Sequence, residues 1–157
     1  MKKLIFPFLI LGFLLTSCEN DDDVCVSGEA TPRLKIKFKS ADNKVLPLDS
    51  LYLDVDYGNN NILTVVRAAK VDSALIPIRV DDAGFTELYV RKTKKGSVSK
   101  IKLNYNTTSE YVSPACGFKR LYQNLSGTLE TANPVTKVEL NQNQIINENK
   151  AHLYLVF

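Results

Sequence analysis

The feature that most limits how this chain folds is an alternation of apolar and polar side chains that recurs in several short segments. Residues 34–39 read Leu-Lys-Ile-Lys-Phe-Lys, and the same two-residue period returns over residues 51–57, 76–80 and 101–105. Successive side chains of an extended strand point to opposite faces, so each segment has one apolar face that must be buried. The pattern predicts half-buried β-strands.

Weaker strand signatures and turn-forming clusters complete this pattern. Further strands are expected over residues 63–67, 85–91, 117–122, 135–140 and 152–157. Clusters of Gly, Asn and Asp, residues suited to reversing the chain, are expected to form turns at 41–44, 58–61, 81–84, 93–96 and 106–109. Short strands at this spacing, without helical periodicity, predict an all-β fold: an antiparallel β-sandwich of roughly eight to nine short strands.

Three segments give more specific expectations about the sheets. Pro77 cannot donate to a strand ladder, so its segment is expected at a sheet edge or a bulge. The C-terminal residues 153–157, Leu-Tyr-Leu-Val-Phe, would be costly to leave in water and are expected inside a sheet. The polar, Asn-rich segment 140–150 fits either a long loop or a short helix.

The N-terminal residues have the three parts of a secretory signal. Two lysines near the start precede an apolar run of 12 residues, 4–15, and the small residues Thr16 and Ser17 end the segment. Spanning a bilayer takes about 20 apolar residues, so a permanent transmembrane helix is the weaker interpretation. Residues 1–17 are therefore predicted to be a signal peptide.

The tetrapeptide Leu15-Thr16-Ser17-Cys18 resembles the bacterial lipobox. The resemblance implies cleavage before Cys18, a thioether from its sulfur to diacylglycerol, and acylation of the freed amine. Several buried acyl chains, at about 0.8 kcal/mol per CH₂, make loss from the bilayer negligible. The expected contact with a membrane is through this lipid anchor alone. An ordinary secretory signal with an incidental cysteine is the alternative.

The residues after Cys18 suggest a destination and a domain boundary. The acidic run 19–23 resembles the surface-export signal of Bacteroidota lipoproteins, which favours an outer-membrane location at the cell surface over the periplasmic face. Clustered like charges are also typical of a disordered, solvated segment. We therefore divide the rest of the chain into an acidic tether, 18–31, and a β-sandwich domain, 32–157.

Two cysteines remain if Cys18 carries lipid, and the export compartment is oxidising. Cys25 and Cys116 are therefore predicted to form a disulfide. Closing a loop of about 90 residues would stabilise the fold by roughly 4–5 kcal/mol in the chain-entropy model. In the alternative, Cys116 is a nucleophile activated by His152, but no recognisable residue orients the imidazole and a bridged sulfur cannot attack.

The folded part is mildly basic. Residues 30–157 carry 18 basic and 12 acidic side chains, a formal charge of +6. In an exported chain this excess is too weak to indicate binding to nucleic acid. The densest basic group is a candidate site for anionic glycans or lipid head groups, although exposed lysines also keep strand edges from pairing with other chains. It comprises Arg91, Lys92, Lys94, Lys95, Lys100 and Lys102.

The sequence contains no recognisable catalytic or metal-binding motif. His152 is the single histidine, and the HExxH, CxxC, GxSxG, GxGxxG and P-loop patterns are absent, so no catalytic residue, metal site or cofactor is predicted. Asp54 and Asp56 would project from one strand face about 7 Å apart, within the range of inverting glycosidase carboxylates. A small surface hydrolase acting on glycans through these two acids is the alternative function. A solvated polar strand face explains the same pair.

Two serines lie in short motifs that resemble the O-glycosylation acceptor of Bacteroidota proteins. Ser50 lies in Asp-Ser-Leu and Ser73 in Asp-Ser-Ala. The Asp-Ser pair is also ordinary turn chemistry before a strand. Both serines are candidate modification sites.

Three groups of residues together resemble an uncharacterised family of small Bacteroidota lipoproteins, known only as a domain of unknown function. They are the lipobox Cys18 with Cys25 a few residues later, Thr-Pro-Arg-Leu at 31–34, and residues 111–118, which include Ser-Pro-Ala-Cys-Gly at 113–117. The resemblance implies a lipoprotein signal, two cysteines in the mature chain and an all-β domain. It implies no activity, substrate or catalytic residue.

The leading interpretation is a lipid-anchored envelope lipoprotein that acts as a non-catalytic binding or accessory module. Its candidate partner is a glycan or another envelope protein, and no cofactor is expected. A purely structural lipoprotein that faces the periplasm is a third interpretation.

Overall fold

A computed structural model describes residues 30–157, which form nine β-strands and no helix. The strands are β1 Leu34–Lys39, β2 Leu51–Asp56, β3 Ile62–Ala68, β4 Ser73–Ile76, β5 Phe85–Arg91, β6 Ser99–Ser113, β7 Gly117–Thr131, β8 Lys137–Leu140 and β9 Leu153–Val156. The predicted all-β sandwich is confirmed. The expected signal peptide and nearly all of the acidic tether, with Cys18 and Cys25, lie outside the described residues.

The strands form two sheets that bury their apolar faces against each other. The four-stranded sheet has the order β4-β1-β9-β8, and the five-stranded sheet has the order β3-β2-β5-β6-β7. All neighbouring strands are antiparallel except β1 and β9. The apolar positions of β1, β2 and the segment 101–105 are buried in a single core, with Tyr57 partly buried at its border, as the two-residue period requires. Val80, at the end of the segment 76–80, is instead 56% exposed.

The expectation for the C-terminus is confirmed, whereas the edge strand lies earlier in the chain than predicted. The edge strand is β4, Ser73–Ile76, so the strand predicted over residues 76–80 is wrong beyond Ile76. Pro77 follows the last residue of β4, where no ladder bond is needed. β9 pairs with β1 on one side and with β8 on the other, so the C-terminal segment lies inside its sheet. In the Asn-rich segment 140–150, Leu140 ends β8 and residues 141–150 form a loop rather than a helix.

The turn predicted at residues 106–109 is wrong. These residues lie inside β6, which continues to Ser113 and pairs with β7 along almost its whole length. The chain reverses only at residues 114–116, after which Gly117 has φ of +67°, a value that glycine adopts without steric cost. Cross-strand pairing thus overrides the local turn propensity of this Asn-Thr-Thr-Ser segment. The strand predicted at 117–122 accordingly extends to Thr131.

Candidate functional site

Residues 141–150, which form most of the loop between β8 and β9, are attached firmly to the five-stranded sheet. We call these residues the asparagine loop. Ile145 is fully buried, and its backbone exchanges two hydrogen bonds with Tyr122 of β7, with N···O distances of 2.8 and 3.2 Å. Leu125 N donates to the Asn143 carbonyl at 2.8 Å. These bonds join the loop, which connects two strands of the four-stranded sheet, to the five-stranded sheet. The Ile145 side chain is part of the common core.

Both ends of the asparagine loop are also fixed. The N–H groups of Asn141 and Gln142 donate to the His152 carbonyl at 2.8 and 3.1 Å, and Asn141 Nδ2 donates to the Ala151 carbonyl at 2.6 Å. Near the other end, the Glu148 carboxylate accepts two side-chain bonds from Arg33, each 2.8 Å, and a backbone bond of 2.9 Å. The loop is therefore held in place on all sides.

An open groove of about 710 Å³ lies along this loop. Amide side chains dominate its lining, and Leu140 and Ile146 add two apolar side chains that are 50% and 51% exposed. Within residues 30–157, the side chains of Gln142, Asn143 and Gln144 make no hydrogen bond. An amide group both donates and accepts hydrogen bonds. The groove therefore offers uncharged, bifunctional partners on a fixed backbone.

A smaller groove of about 290 Å³ shares Asn141, Asn149 and Lys150 with the first. Tyr154 of β9 forms part of its wall, and the ammonium group of Lys39 lies 3.8 Å from the centre of the Tyr154 ring. The Tyr154 ring therefore lies next to the polar side chains of the asparagine loop.

His152 lies beneath the asparagine loop and is fully buried. Its Nδ1 accepts a hydrogen bond of 2.8 Å from Lys35 N, so the imidazole is neutral at that nitrogen. Burial lowers the pKa of His152 below its usual value of 6.5. The residue joins β1 to the end of the loop, and this is a structural role. Nothing in this arrangement presents the imidazole to Cys116, which lies in the turn between β6 and β7.

Because His152 is buried, we expect the free energy of unfolding to decrease on mild acidification. Below pH 6.5 the unfolded chain takes up a proton at residue 152 that the folded protein resists, so the free energy of unfolding falls as the pH is lowered through this window. Thermal melts between pH 7 and pH 5.5 should show a declining Tm, with a shallower decline for His152→Asn. Equal slopes for the two proteins would contradict this account. Carboxylates with lowered pKa values, such as Glu148 and Glu139, titrate at lower pH.

The two candidate hydrolase acids are engaged in structural contacts. Asp54 Oδ2 pairs with the guanidinium of Arg91, and its Oδ1 accepts a bond of 2.6 Å from the Thr64 hydroxyl. Asp56 Oδ1 accepts the backbone N–H of Gly58 at 2.7 Å, which closes the following turn. A hydrolase needs one carboxyl group as the acid and the other as the base on either side of the glycosidic bond. Both carboxylates are instead engaged in these structural contacts, so the geometry does not support the hydrolase.

Two of the six basic residues of the candidate anionic site are paired with acids. Arg91 is occupied by Asp54, and Lys100 Nζ lies 2.9 Å from Glu87 and 3.0 Å from Glu130 on the outer face of the five-stranded sheet. In the part of the chain that the structure describes, the remaining four form no ion pair: Lys92, Lys94, Lys95 and Lys102. The first three of these are exposed near the turn between β5 and β6. Binding of anionic groups there stays a prediction.

The two candidate glycosylation serines are both partly buried. Ser50 Oγ donates to the Lys92 carbonyl, and Ser73 Oγ lies 2.9 Å from a carboxylate oxygen of Asp72. Modification of either serine would displace these bonds. Their glycosylation remains a prediction.

The predicted disulfide has one half in the described part of the chain. Cys116 lies in the turn between β6 and β7, where its N–H donates to Ser113 Oγ at 3.1 Å. Cys25 lies outside the described residues. The described chain begins beside this hairpin, because Arg120 N donates to Thr31 Oγ1 at 2.9 Å.

A family of unknown function, DUF6452, matches residues 50–157. The chain belongs to this family. The matched range includes β2 to β9 and the whole asparagine loop. No curated protein and no solved structure shows significant similarity to the chain.

Two further findings concern residues 30–157 alone. No helix there has the length and hydropathy needed to cross a bilayer. No cluster of three or more His, Cys, Asp or Glu side chains there is arranged to hold a metal ion.

Sequence reasoning left the asparagine loop unassigned. The signal was the run Asn-Gln-Asn-Gln at 141–144, which is typical of many surface loops. What distinguishes this loop is the buried Ile145 and its pairing with Tyr122, and these contacts join residues that are far apart in the sequence.

Proposed function

We propose that this member of the family is a lipid-anchored envelope lipoprotein that acts as a non-catalytic binding module, with the groove on the asparagine loop as its binding site. The observation that supports a binding site is a set of unpaired amides, at residues 142–144, on a loop whose backbone bonds to β7 and accepts a hydrogen bond from the Lys35 side chain of β1 at Glu148. A fixed loop loses little conformational entropy when it binds, so its polar groups contribute more fully to affinity.

The chemistry of the groove favours a neutral polyhydroxylated ligand, which we take to be a glycan. Sugar hydroxyls both donate and accept hydrogen bonds, as amides do. Ile146 and Leu140 offer exposed apolar surface for the C–H faces of a sugar, and Tyr154 lies in the adjoining groove. The one cation of the main groove, Lys150, accommodates an acidic substituent.

Binding of envelope glycans to single-site variants tests this proposal. Asn143→Ala and Gln144→Ala remove amides that make no bond within the described chain, so the fold should be unchanged. Each lost hydrogen bond should weaken binding by about 0.5–1.5 kcal/mol, roughly 2-fold to 13-fold in Kd. Isothermal titration with oligosaccharides released from the producing cell's envelope provides the measurement.

The matched control is Asn104→Ala, which removes an exposed amide from β6 that does not line the groove. Its affinity should equal that of the unmodified protein. A glycan that binds all three variants equally would exclude the asparagine loop as the site. Measurable cleavage of the glycan, lost in Asp54→Asn with the fold intact, would favour the hydrolase instead.

We further propose the lipid anchor at Cys18, the Cys25–Cys116 disulfide and a location on the outer membrane at the cell surface. The hydrogen bond between Thr31 and Arg120 supports the disulfide, because it brings the tether to within four residues of Cys116 along β7. Fatty-acid labelling should disappear in Cys18→Ala, and titration of the unreduced, unfolded mature protein should find no free thiol. Protease treatment of intact cells should degrade the protein, whereas a chain that faces the periplasm would survive.

A further inference from the structure

The far part of the β6–β7 hairpin projects beyond the sandwich. β5 pairs with β6 only over Ser99 to Asn104, so beyond that point β6 has β7 as its one strand partner in the described chain. We call residues 108–120 the hairpin arm. An isolated two-stranded ribbon is marginally stable in water, so an arm of this kind gains stability from whatever it contacts.

Two aromatic side chains lie opposite each other near the end of the arm. Tyr111 and Phe118 are directly paired across the strands, with ring centroids 5.4 Å apart and planes at 67°. Their exposed fractions are 56% and 69%, and Phe118 is the most exposed large apolar side chain in the described part of the chain. An exposed pair of rings on a projecting element is typical of an interaction site.

The position where the tether joins the domain identifies what this pair contacts. Arg120, two residues from Phe118, donates to Thr31, so the chain from the N-terminus reaches the domain at the arm. Thr31 lies only 13 positions after Cys18, a span of at most roughly 45 Å. With the proposed disulfide, the link from Cys18 to Cys25 is seven residues long, at most roughly 25 Å.

The opposite end of the domain is farther from this attachment. β6 is 15 residues long, which corresponds to about 50 Å for an extended strand. The turn between β5 and β6 therefore lies about 50 Å from the end of the arm. A short tether attached at the arm holds that end of the protein nearest to the bilayer.

We propose that Tyr111 and Phe118 insert into the interfacial region of the bilayer to which Cys18 is attached, so that the domain rests on its hairpin arm. The proposal rests on the lipid anchor proposed above. Aromatic rings are well suited to this region, where an apolar body meets acyl chains and a phenolic hydroxyl stays hydrated. The contact would give the anchored domain a fixed orientation instead of free movement on its tether.

The absence of tryptophan from the sequence permits a direct test. Phe118→Trp places a single indole at the end of the arm, and Val45→Trp places one at a control position that is 61% exposed. Val45 pairs with Lys39, and Leu46 lines a groove with Lys92, so the control lies near the β5–β6 turn. Both lipidated proteins are reconstituted in phosphatidylethanolamine–phosphatidylglycerol vesicles whose acyl chains are brominated.

The expected result is quenching of the Phe118→Trp fluorescence several-fold stronger than that of Val45→Trp, with an emission maximum shifted to the blue. Equal quenching of the two indoles would overturn the proposal. It would also be overturned if an added envelope protein, and not protein-free vesicles, shifted the Phe118→Trp emission to the blue. Flotation of the same samples reports on the anchor separately. Failure to float would show that the lipid at Cys18 does not hold the protein on the bilayer and would overturn both proposals, whereas floating protein with unquenched indole would disprove only the contact of the arm.

Discussion

Deletion of residues 153–157 should abolish cooperative folding. These residues include β9, which lies between β1 and β8 and buries Leu153, Leu155 and Val156 almost completely. At about 1.5–3 kcal/mol for each fully buried side chain, with two strand ladders lost as well, the cost approaches the whole stability of an ordinary domain, about 5–15 kcal/mol. Circular dichroism during heating should show no transition for the truncated chain.

Removal of Phe157 alone is the matched control for this deletion. Phe157 is partly exposed, and its ring contacts Phe38 edge to face with a centroid distance of 5.8 Å. Its loss should lower Tm and leave a cooperative transition, because β9 keeps both of its neighbours. A soluble 153–157 deletion that melts cooperatively would show that the four-stranded sheet does not need its interior strand.

The second large effect is expected for Ile145→Ala, which removes the buried side chain that fastens the asparagine loop to the core. A substitution of this kind in a core costs about 2–5 kcal/mol. The loop should also separate from β7, so the amides of Tyr122 and Leu125, which donate to loop carbonyls, should lose protection from hydrogen exchange. Chemical denaturation and amide exchange measure the two effects independently.

Ile146→Ala is the control for this substitution, since it removes the same atoms from the next residue. Ile146 is 51% exposed, and its loss should change stability by no more than about 0.5 kcal/mol. Similar costs for the two variants would mean that the loop is not fixed through Ile145. Because Ile146 lines the groove, Ile146→Ala should weaken ligand binding while the fold is retained.

The strands of the sandwich follow from the period of the sequence, because a segment with one apolar face can bury that face in only a few ways. The residues Leu-Lys-Ile-Lys-Phe-Lys at 34–39 predict β1 and its buried face directly. Residues 106–109 show where such reasoning fails. Their turn-forming side chains predicted a reversal, yet they lie within β6 because β7 provides a partner across the ribbon.

The candidate site was harder to predict because its function depends on contacts between distant residues. Asp54 and Asp56 were singled out for their spacing along a strand, but the bulge at Leu53 and Asp54 and the pairing with Arg91 decide their role. The basic residues 91–102 are close in sequence, yet two of them are neutralised by acids from β2, β5 and β7. Neither outcome can be derived from local composition.

The sequence by itself determined the all-β class, the buried face of each alternating strand and the need to bury the C-terminal segment, because these follow from side-chain direction and from the cost of hydrating apolar surface. Only the tertiary structure decided the parallel pairing of β1 with β9, the length of the β6–β7 hairpin and the attachment of Ile145 to Tyr122. Each of these depends on which distant segments meet. A pairing between segments gains its free energy from both partners, so neither partner's residues specify it alone.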